Sequence, residues 1–298
     1  MDSPLVSIII VTHNHSRFVA QCISSAVNQT YPNTEIIVID NGSTDNTPEV
    51  LEILCAQYGF QLVLQDNIGL PGTLNKAIKD MAKGVYIALC AGDDYWCLDK
   101  IEYQVNSFLK CDPSIAVLAG NAAIIDESGD LISSQRFSPA RIIEFNDLFL
   151  KGISIMGLTS LIRRDIYSKV GWYDPNIHIE DYYMWLKITS YGFKIMRSNK
   201  LLGFYRQHSG NVSNKLNQRL SAMQTIYSQY SYHEHYAKAL DNMHMKYFKR
   251  FSILDGKMAI MCLFKVKSIA SLCSINLLVG LANIIIPRRL NPKREMRV

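Results

Sequence analysis

The apolar residues of this chain come in short runs that stop at polar, carboxylate-bearing stretches. Leu5-Val-Ser-Ile-Ile-Ile-Val11 gives way to Thr12-His13-Asn14-His15, and Glu35-Ile-Ile-Val-Ile39 gives way to Asp40-Asn41-Gly42-Ser43-Thr44-Asp45. Val85-Tyr-Ile-Ala-Leu-Cys-Ala91 likewise ends at Gly92-Asp93-Asp94. Runs of this length, rich in β-branched and aromatic side chains, predict buried strands. Between the first two, Phe18, Cys22, Ile23, Ala26 and Val27 recur at helical spacing. Strand, helix, strand in that order is built most simply as a parallel sheet. Ligands of such sheets bind beyond the carboxyl ends of the strands, so Thr12, Asp40 and the Asp93-Asp94 pair are expected to converge on one ligand. Asp40, followed by Asn-Gly-Ser-Thr-Asp, equally suits the opening of an Asx turn. Gly92 is expected to let the backbone turn where two acids must be exposed.

Further along, Leu201-Leu-Gly-Phe204 runs into Tyr205-Arg206-Gln207-His208, and Tyr182, Trp185, Leu186 and Thr189 have helical spacing. Glu180 and Asp181 then fall in the first turn of that helix. The helix dipole favours ionised carboxylates there, which suits Asp181 as a general base with Glu180 as its neighbour; an N-terminal cap is the structural alternative. Two adjacent Asp side chains repel unless a cation sits beside them. A divalent ion carrying phosphate oxygens is the usual occupant, because Mg2+ and Mn2+ take one or two carboxylates plus substrate phosphates. A solvated turn is the plainer reading of Asp93-Asp94. Arg206 and a neutral His208 at a strand end suit a diphosphate or its metal. The segment Ser209–Asn214 has the composition of a mobile lid. Trp96 and Trp185 suit either stacking on the apolar face of a sugar or a place in the core.

At 298 residues and 48% hydrophobic composition, the chain is long enough for one substantial α/β domain plus an appendage. No repeat, low-complexity stretch or Gly/Ser/Pro-rich linker divides it. Charge does: residues 1–245 hold 20 Lys+Arg against 24 Asp+Glu, a net of −4, whereas residues 246–298 hold 11 against 2, a net of +9. The expected division is a catalytic domain over 1–214 and a helical, basic C-terminal region over 215–298. Within the latter, residues 268–286 carry no charge and are flanked by Lys265 and Lys267 before and Arg288 and Arg289 after. That length is near the minimum for a membrane span. Its Ser and Asn residues, with basic flanks on both sides, favour a helix lying on an anionic leaflet; a helix packed on the domain is the alternative. No nucleic-acid-binding motif accompanies the charge, so nucleic acid is not an expected partner. Seven scattered cysteines without a CxxC pair read as reduced cytosolic thiols, and no signal peptide is expected.

Taken in order, Val6–Asn14, Glu35–Thr47, Asp66-Asn-Ile-Gly69 with Leu74-Asn75, Gly92–Asp94 with Asp99-Lys100, Glu180-Asp181 and Tyr205–His208 make a set that resembles family 2 glycosyltransferases of the GT-A fold. The resemblance spans about two hundred residues. It implies a Rossmann-like, mostly parallel sheet flanked by helices. It also implies an enzyme that moves a sugar from a nucleotide diphosphate to an acceptor hydroxyl with inversion. Asp93, Asp94 and His208 would then hold Mn2+ or Mg2+, with Asp93 and Arg206 also meeting the nucleotide sugar. Thr12 and Asp40 would meet uracil or ribose, with Asp66 at the base edge and Asn75 in the donor site. Asp181 would be the base. Two departures stand out. Ala91 occupies a position where many relatives carry another Asp, and Leu74 one where they often carry Arg. Similarity to bacterial O-antigen and capsule enzymes implies a UDP-hexose donor, glucose or galactose. The implied acceptor is a sugar on a polyprenyl diphosphate, the linkage β, and the place of work the inner face of the inner membrane. A nucleotidyltransferase lacks its Gly-rich signature here, and a non-catalytic sugar- or lipid-binding scaffold is the remaining competitor.

Overall fold

The structure, a computed structural model, describes residues 3–132, 137–208, 216–268, 272 and 275–285. The segment 209–214 and the basic residues Arg288 and Arg289 lie outside the described residues. Two compact units result: Met1–Phe145 with Ser154–Asn214, and Asn146–Ile153 with Lys215–Val298. The second unit therefore takes in a short segment from the middle of the chain, which the charge pattern gave no sign of.

The first unit opens with β1 (Val6–Thr12), α1 (Val19–Val27), β2 (Thr34–Asn41), α2 (Thr47–Tyr58), β3 (Gln61–Gln65), α3 (Leu70–Lys76), β4 (Tyr86–Ala91), β5 (Tyr95–Trp96) and α4 (Lys100–Phe108). It continues with β6 (Ile115–Ile125), β7 (Arg141–Ile143), the start of α5 (Phe145–Phe149), β8 (Leu161–Arg163), α6 (Asp165–Val170), α7 (Glu180–Ser190) and β9 (Lys194–Arg206). One sheet runs in the order β3-β2-β1-β4-β8-β6-β9-β5, with β7 also on β9. Its amino-terminal half, β3-β2-β1-β4, is parallel as expected. Beyond β4 it is mixed: β8 is antiparallel to both β4 and β6, β6 is parallel to β9, and β5 and β7 are antiparallel to β9.

Every residue of β1 is buried, which is why its Ile and Val residues run on without alternating with exposed polar ones; its two polar residues, Ser7 and Thr12, are buried as well. Each such Ile or Val is worth roughly 2 kcal/mol of transfer free energy. Helix α1 covers the sheet with Cys22, Ile23 and Ala26, positions its spacing marked, and with Val19, which it did not, while Phe18 at the N-cap and Val27 are half-buried. Helix α2 starts where Asp45 accepts the Thr47 N–H at 3.0 Å and stops at Gly59, whose φ of 74° is left-handed. Hydrogen bonds from Thr47 and Ser16 outweigh the burial of Asp45 and hold its pKa at about 2.

In the second unit α8 (Leu216–Ser228), α9 (Tyr236–Leu254), α10 (Gly256–Phe264) and α11 (Ile275–Ile285) assemble around the inward face of α9, with Met243, Tyr247, Phe248 and Phe251 buried. The 146–153 segment joins them: Tyr227 donates to the Phe149 carbonyl and Asn242 Nδ2 to the Leu150 carbonyl, both at 3.1 Å. Helix α11 comes from the uncharged stretch, and it does not stand alone as an interfacial helix. It lies so close to α9 that a side chain on Gly280 would meet Phe248 Cε1 at 2.1 Å, while Leu278 and Leu281 face outward. Its 11 residues span about 16 Å at 1.5 Å per residue, against about 30 Å of bilayer hydrocarbon. Among the described residues no helix is long and apolar enough to cross a membrane.

Candidate active site

Strands β1 and β2 pair Thr12 with Asp40, and β1 and β4 pair Val11 with Ala91, so three loops open at one edge of the parallel sheet. The first loop is pinned to the second. Asn14 has a left-handed φ of 59°, the single such non-glycine among the described residues. Its side chain compensates, with Oδ1 accepting the Thr44 N–H at 2.7 Å. The Asn14 N–H donates to Ser43 Oγ at 2.8 Å, and the His15 N–H to Thr47 Oγ1 at 2.9 Å. Held this way, His15 is turned toward the third loop.

There the Asp93 carboxylate is the hub. Its Oδ2 lies 3.0 Å from His208 Nε2 and 3.8 Å from His15 Nε2. One ligand atom each from His15, Asp93 and His208 lies within 4.8 Å of the other two. Phe18 supports the cluster with its ring centroid 5.2 Å from that of His208. Burial lowers the His15 pKa, and the Asp93 charge opposes it. A carboxylate oxygen and imidazole nitrogens at this separation are a donor set that fits a divalent metal.

The role expected for Gly92 needs correction. Its φ is not left-handed, and the acids after it are buried, at 7% and 5% exposure. Glycine is needed for room: a Cβ at residue 92 would come within 2.5 Å of Thr12 Oγ1 and 3.1 Å of His15 Nδ1. Asp94, expected beside Asp93 in the metal site, is held differently. Its Oδ1 accepts the Arg206 N–H at 2.9 Å, and it is not part of the converging set. Burial first, then the Asp93 charge, push the Asp94 carboxyl well above the usual carboxylate range. Arg206 is likewise not poised over a diphosphate. Buried, with its guanidinium 4.8 Å from the Phe18 ring, it donates to the carbonyls of Asp93, Asp126 and Glu127 and to Gln21 Oε1. It holds the backbone that carries Asp93.

The remaining expected residues divide. Thr12 is 1% exposed and its Oγ1 has no hydrogen-bond partner. Asp40, beside it, accepts from both the N–H and the hydroxyl of Ser43, three residues on, and so folds the loop after β2 back on the strand end. Asp66 is exposed just past β3. Asn75 clamps the backbone of Tyr173 in both directions, at 2.8 and 3.0 Å. Burial first, then Tyr167, raise the Tyr173 phenol, which also feels the charges of Glu180 and Asp181. Those acids do sit in the first turn of α7. The Asp181 side chain lies against Gly157, and the next residue, Leu158, accepts Trp96 Nε1–H at 2.8 Å, tying the start of α7 to β5, just after Asp94. Trp96 and Trp185, at 2% and 1% exposure, are core residues with no face for a sugar.

His15 was missed by the sequence reading, although Thr-His-Asn-His stands at the same strand edge as the acids. Asn41 was missed too. It is buried, and its Oδ1 accepts from Gln65, the Ile68 N–H and Thr73, binding β2, β3 and α3 together.

The family model for glycosyl transferase family 2 matches residues 7–171. Among similar proteins, an uncharacterized glycosyltransferase of Rickettsia typhi is 30% identical over 76% of this chain and 71% of its own length. Two Escherichia coli proteins, WfaP and WfgD, are each described as a UDP-Glc:alpha-D-GlcNAc-diphosphoundecaprenol beta-1,3-glucosyltransferase. WfaP is 33% identical over 70% of this chain and 80% of its own, WfgD 35% over 63% and 71%. Among solved structures, Staphylococcus aureus TarS 1–349 in complex with UDP-GlcNAc superposes with a TM-score of 0.64 at 16% identity, over 94% of this chain and 88% of that one. The mannosyltransferase PcManGT of Pyrobaculum calidifontis, in complex with GDP-Man and Mn2+, gives 0.62 at 14% identity over 97% and 82%. This chain spans 49% of a longer TarS chain. A family match over more than half the sequence, relatives that agree with it and the shared GT-A fold make this protein a member of glycosyl transferase family 2.

Proposed function

We propose that this glycosyltransferase moves a hexose, glucose or galactose, from a UDP-sugar to a hydroxyl of a sugar carried on a lipid diphosphate, forming a β linkage with inversion. The observation that carries the reading is the Asp93–His208 pair at the carboxyl edge of the parallel strands, next to Thr12 and Asp40. Asp93 and His208 would hold a Mn2+ or Mg2+ ion, which when bound offsets the charge gathering on the departing diphosphate. Thr12, with its unpartnered hydroxyl, and Asp40 receive the nucleoside, and Asp66 lies toward the base. Arg206 and Asp94 fix the backbone that aims Asp93. Asp181, at the positive end of α7, takes the proton from the acceptor hydroxyl. Attack from the face opposite the diphosphate turns an α-linked donor into a β-linked product. The names of WfaP and WfgD support the UDP-glucose donor and the lipid-diphosphate acceptor.

A lipid-borne acceptor calls for a membrane-facing surface, and α10 offers one. Ile260, Met261 and Phe264 are exposed at helical spacing, Phe264 at 86%, with Lys257, Lys265 and Lys267 exposed around them. An apolar centre with a basic rim suits an anionic leaflet, which supports a peripheral position on the inner face of the inner membrane.

The test combines purified protein, Mn2+, a panel of UDP- and GDP-sugars and a synthetic N-acetylglucosamine diphosphate-lipid analogue. Mass spectrometry reads the product and NMR its anomeric configuration. Transfer from UDP-glucose or UDP-galactose with a β product is expected; transfer from a GDP-sugar alone, or an α product, overturns the reading.

A further inference from the structure

We propose that His15 is a third protein ligand, making the site a two-histidine, one-carboxylate set that takes a transition-metal ion such as Mn2+ or Co2+ in preference to Mg2+. This rests on the metal reading of the Asp93–His208 pair and adds to it the residue and the class of ion.

The geometry is already close to that of a loaded site. Around an ion with bonds of about 2.1 Å, neighbouring ligand atoms stand about 3.0 Å apart at right angles and about 4.2 Å when opposed. The observed separations, 3.0 Å and 3.8 Å from Asp93 Oδ2 and at most 4.8 Å within the set, need only small side-chain shifts to match. The two imidazoles meet edge to face at 89° with centroids 5.9 Å apart, so they do not stack against each other and each keeps a nitrogen near the carboxylate.

The backbone is built to present His15 there. The left-handed Asn14 before it, the Thr47 hydroxyl on its N–H and the close packing of the ring over Gly92, which has no side chain to displace it, together fix the ring. A ligating histidine normally needs an acceptor for its second nitrogen. His15 Nδ1 and Thr12 Oγ1 are both buried without a partner, and both flank the place a Gly92 side chain would fill.

The chemistry sets the preference. With Ala91 at the strand end, the converging set contains one carboxylate, Asp93, and two imidazoles. Mg2+ prefers oxygen donors and gives up water reluctantly, whereas imidazole suits later transition ions. Replacing an acid with His15 therefore shifts the site away from Mg2+.

The test needs no sugar donor, so its failure is separable from that of the proposed reaction. Calorimetry of the full-length protein with Mn2+, Co2+ and Mg2+, with and without UDP, should find Mg2+ at least about tenfold weaker than the other two. His15→Ala should weaken Mn2+ and Co2+ by about tenfold or more and alter the Co2+ visible spectrum. His13→Ala, whose ring instead meets the Asn41 carbonyl, should do neither. Spin-echo spectroscopy of the Mn2+-loaded wild type should detect two imidazole nitrogens, a measurement that does not depend on the variant folding. One nitrogen, or Mg2+ bound as tightly as Mn2+, overturns the proposal. Absence of binding by every ion overturns it together with the metal reading.

Discussion

Lys100 has no exposed surface, and its ammonium donates to neutral oxygens, Gln104 Oε1 at 2.9 Å and the Ser160 carbonyl at 3.1 Å, beneath the Trp96 ring. Burial lowers its pKa from 10.5 to about 7. Between those values the unfolded chain binds a proton that the folded chain does not, so stability rises with pH across that window. Below the folded pKa both states are protonated and this contribution is flat. Urea midpoints of the wild type should therefore climb from pH 7 toward pH 10 relative to those of Lys100→Met, which keeps the stem and loses the charge. Parallel profiles would mean that Lys100 is not the cause. At the reacting centre, Asp93→Asn should cut turnover by about a hundredfold or more, the scale of a lost electrostatic contact to the leaving group. If Asp181 takes the acceptor proton as proposed, Asp181→Asn should do the same while leaving UDP affinity intact. Calorimetry that instead found UDP binding lost would move Asp181 to the donor site.

Among elements, the junction of β1 and β4 is the most demanding. The strands are in register up to Val11 and Ala91, and the next pair brings the Thr12 side chain into the space where residue 92 would carry its Cβ. An alanine there must displace Thr12 or bend β4, at a cost of about 1–3 kcal/mol for overpacking. Gly92→Ala should accordingly lower the urea midpoint. A midpoint equal to wild type would show that the two strands part more easily than their packing implies. The site is assembled by loops tied to one another across strands, as when Asn14 bonds to Thr44 or Arg206 to Asp93. It was therefore only partly legible in sequence: the acids announce themselves at strand ends, but the partners of Asp93 lie as far as 115 residues away.

At the level of the whole molecule, the chain pairs a catalytic unit of net negative character with a basic helical one. The membrane reading shifts from the uncharged stretch to α10, because α11 spends part of its apolar surface on α9. Phe264→Ser should reduce binding to anionic vesicles by roughly 2 kcal/mol, about thirtyfold, the cost of withdrawing one buried aromatic side chain. Added salt should weaken the wild type further through Lys257, Lys265 and Lys267, and flotation assays read both effects. Equal flotation of wild type and Phe264→Ser at low and high salt would remove α10 as the contact.

The sequence by itself determined three of the four strands of the parallel half, β1, β2 and β4, the helix over Val19–Val27 and the placement of Glu180 and Asp181 in a helix's first turn. Each is a local matter: a run buried on both faces must be largely apolar, and a helix must repeat its apolar residues with its turn. Only the tertiary structure decided which polar residues work together. Trp96 and Trp185 went to the core because neighbouring elements cover them. Arg206 went to backbone carbonyls because β9 returns beside β5. His15 came to face Asp93 because Asn14 adopts a conformation that its own sequence neighbourhood does not compel. Burial, charge partners and ligand geometry are properties of surfaces meeting across the fold, and no window of consecutive residues contains them.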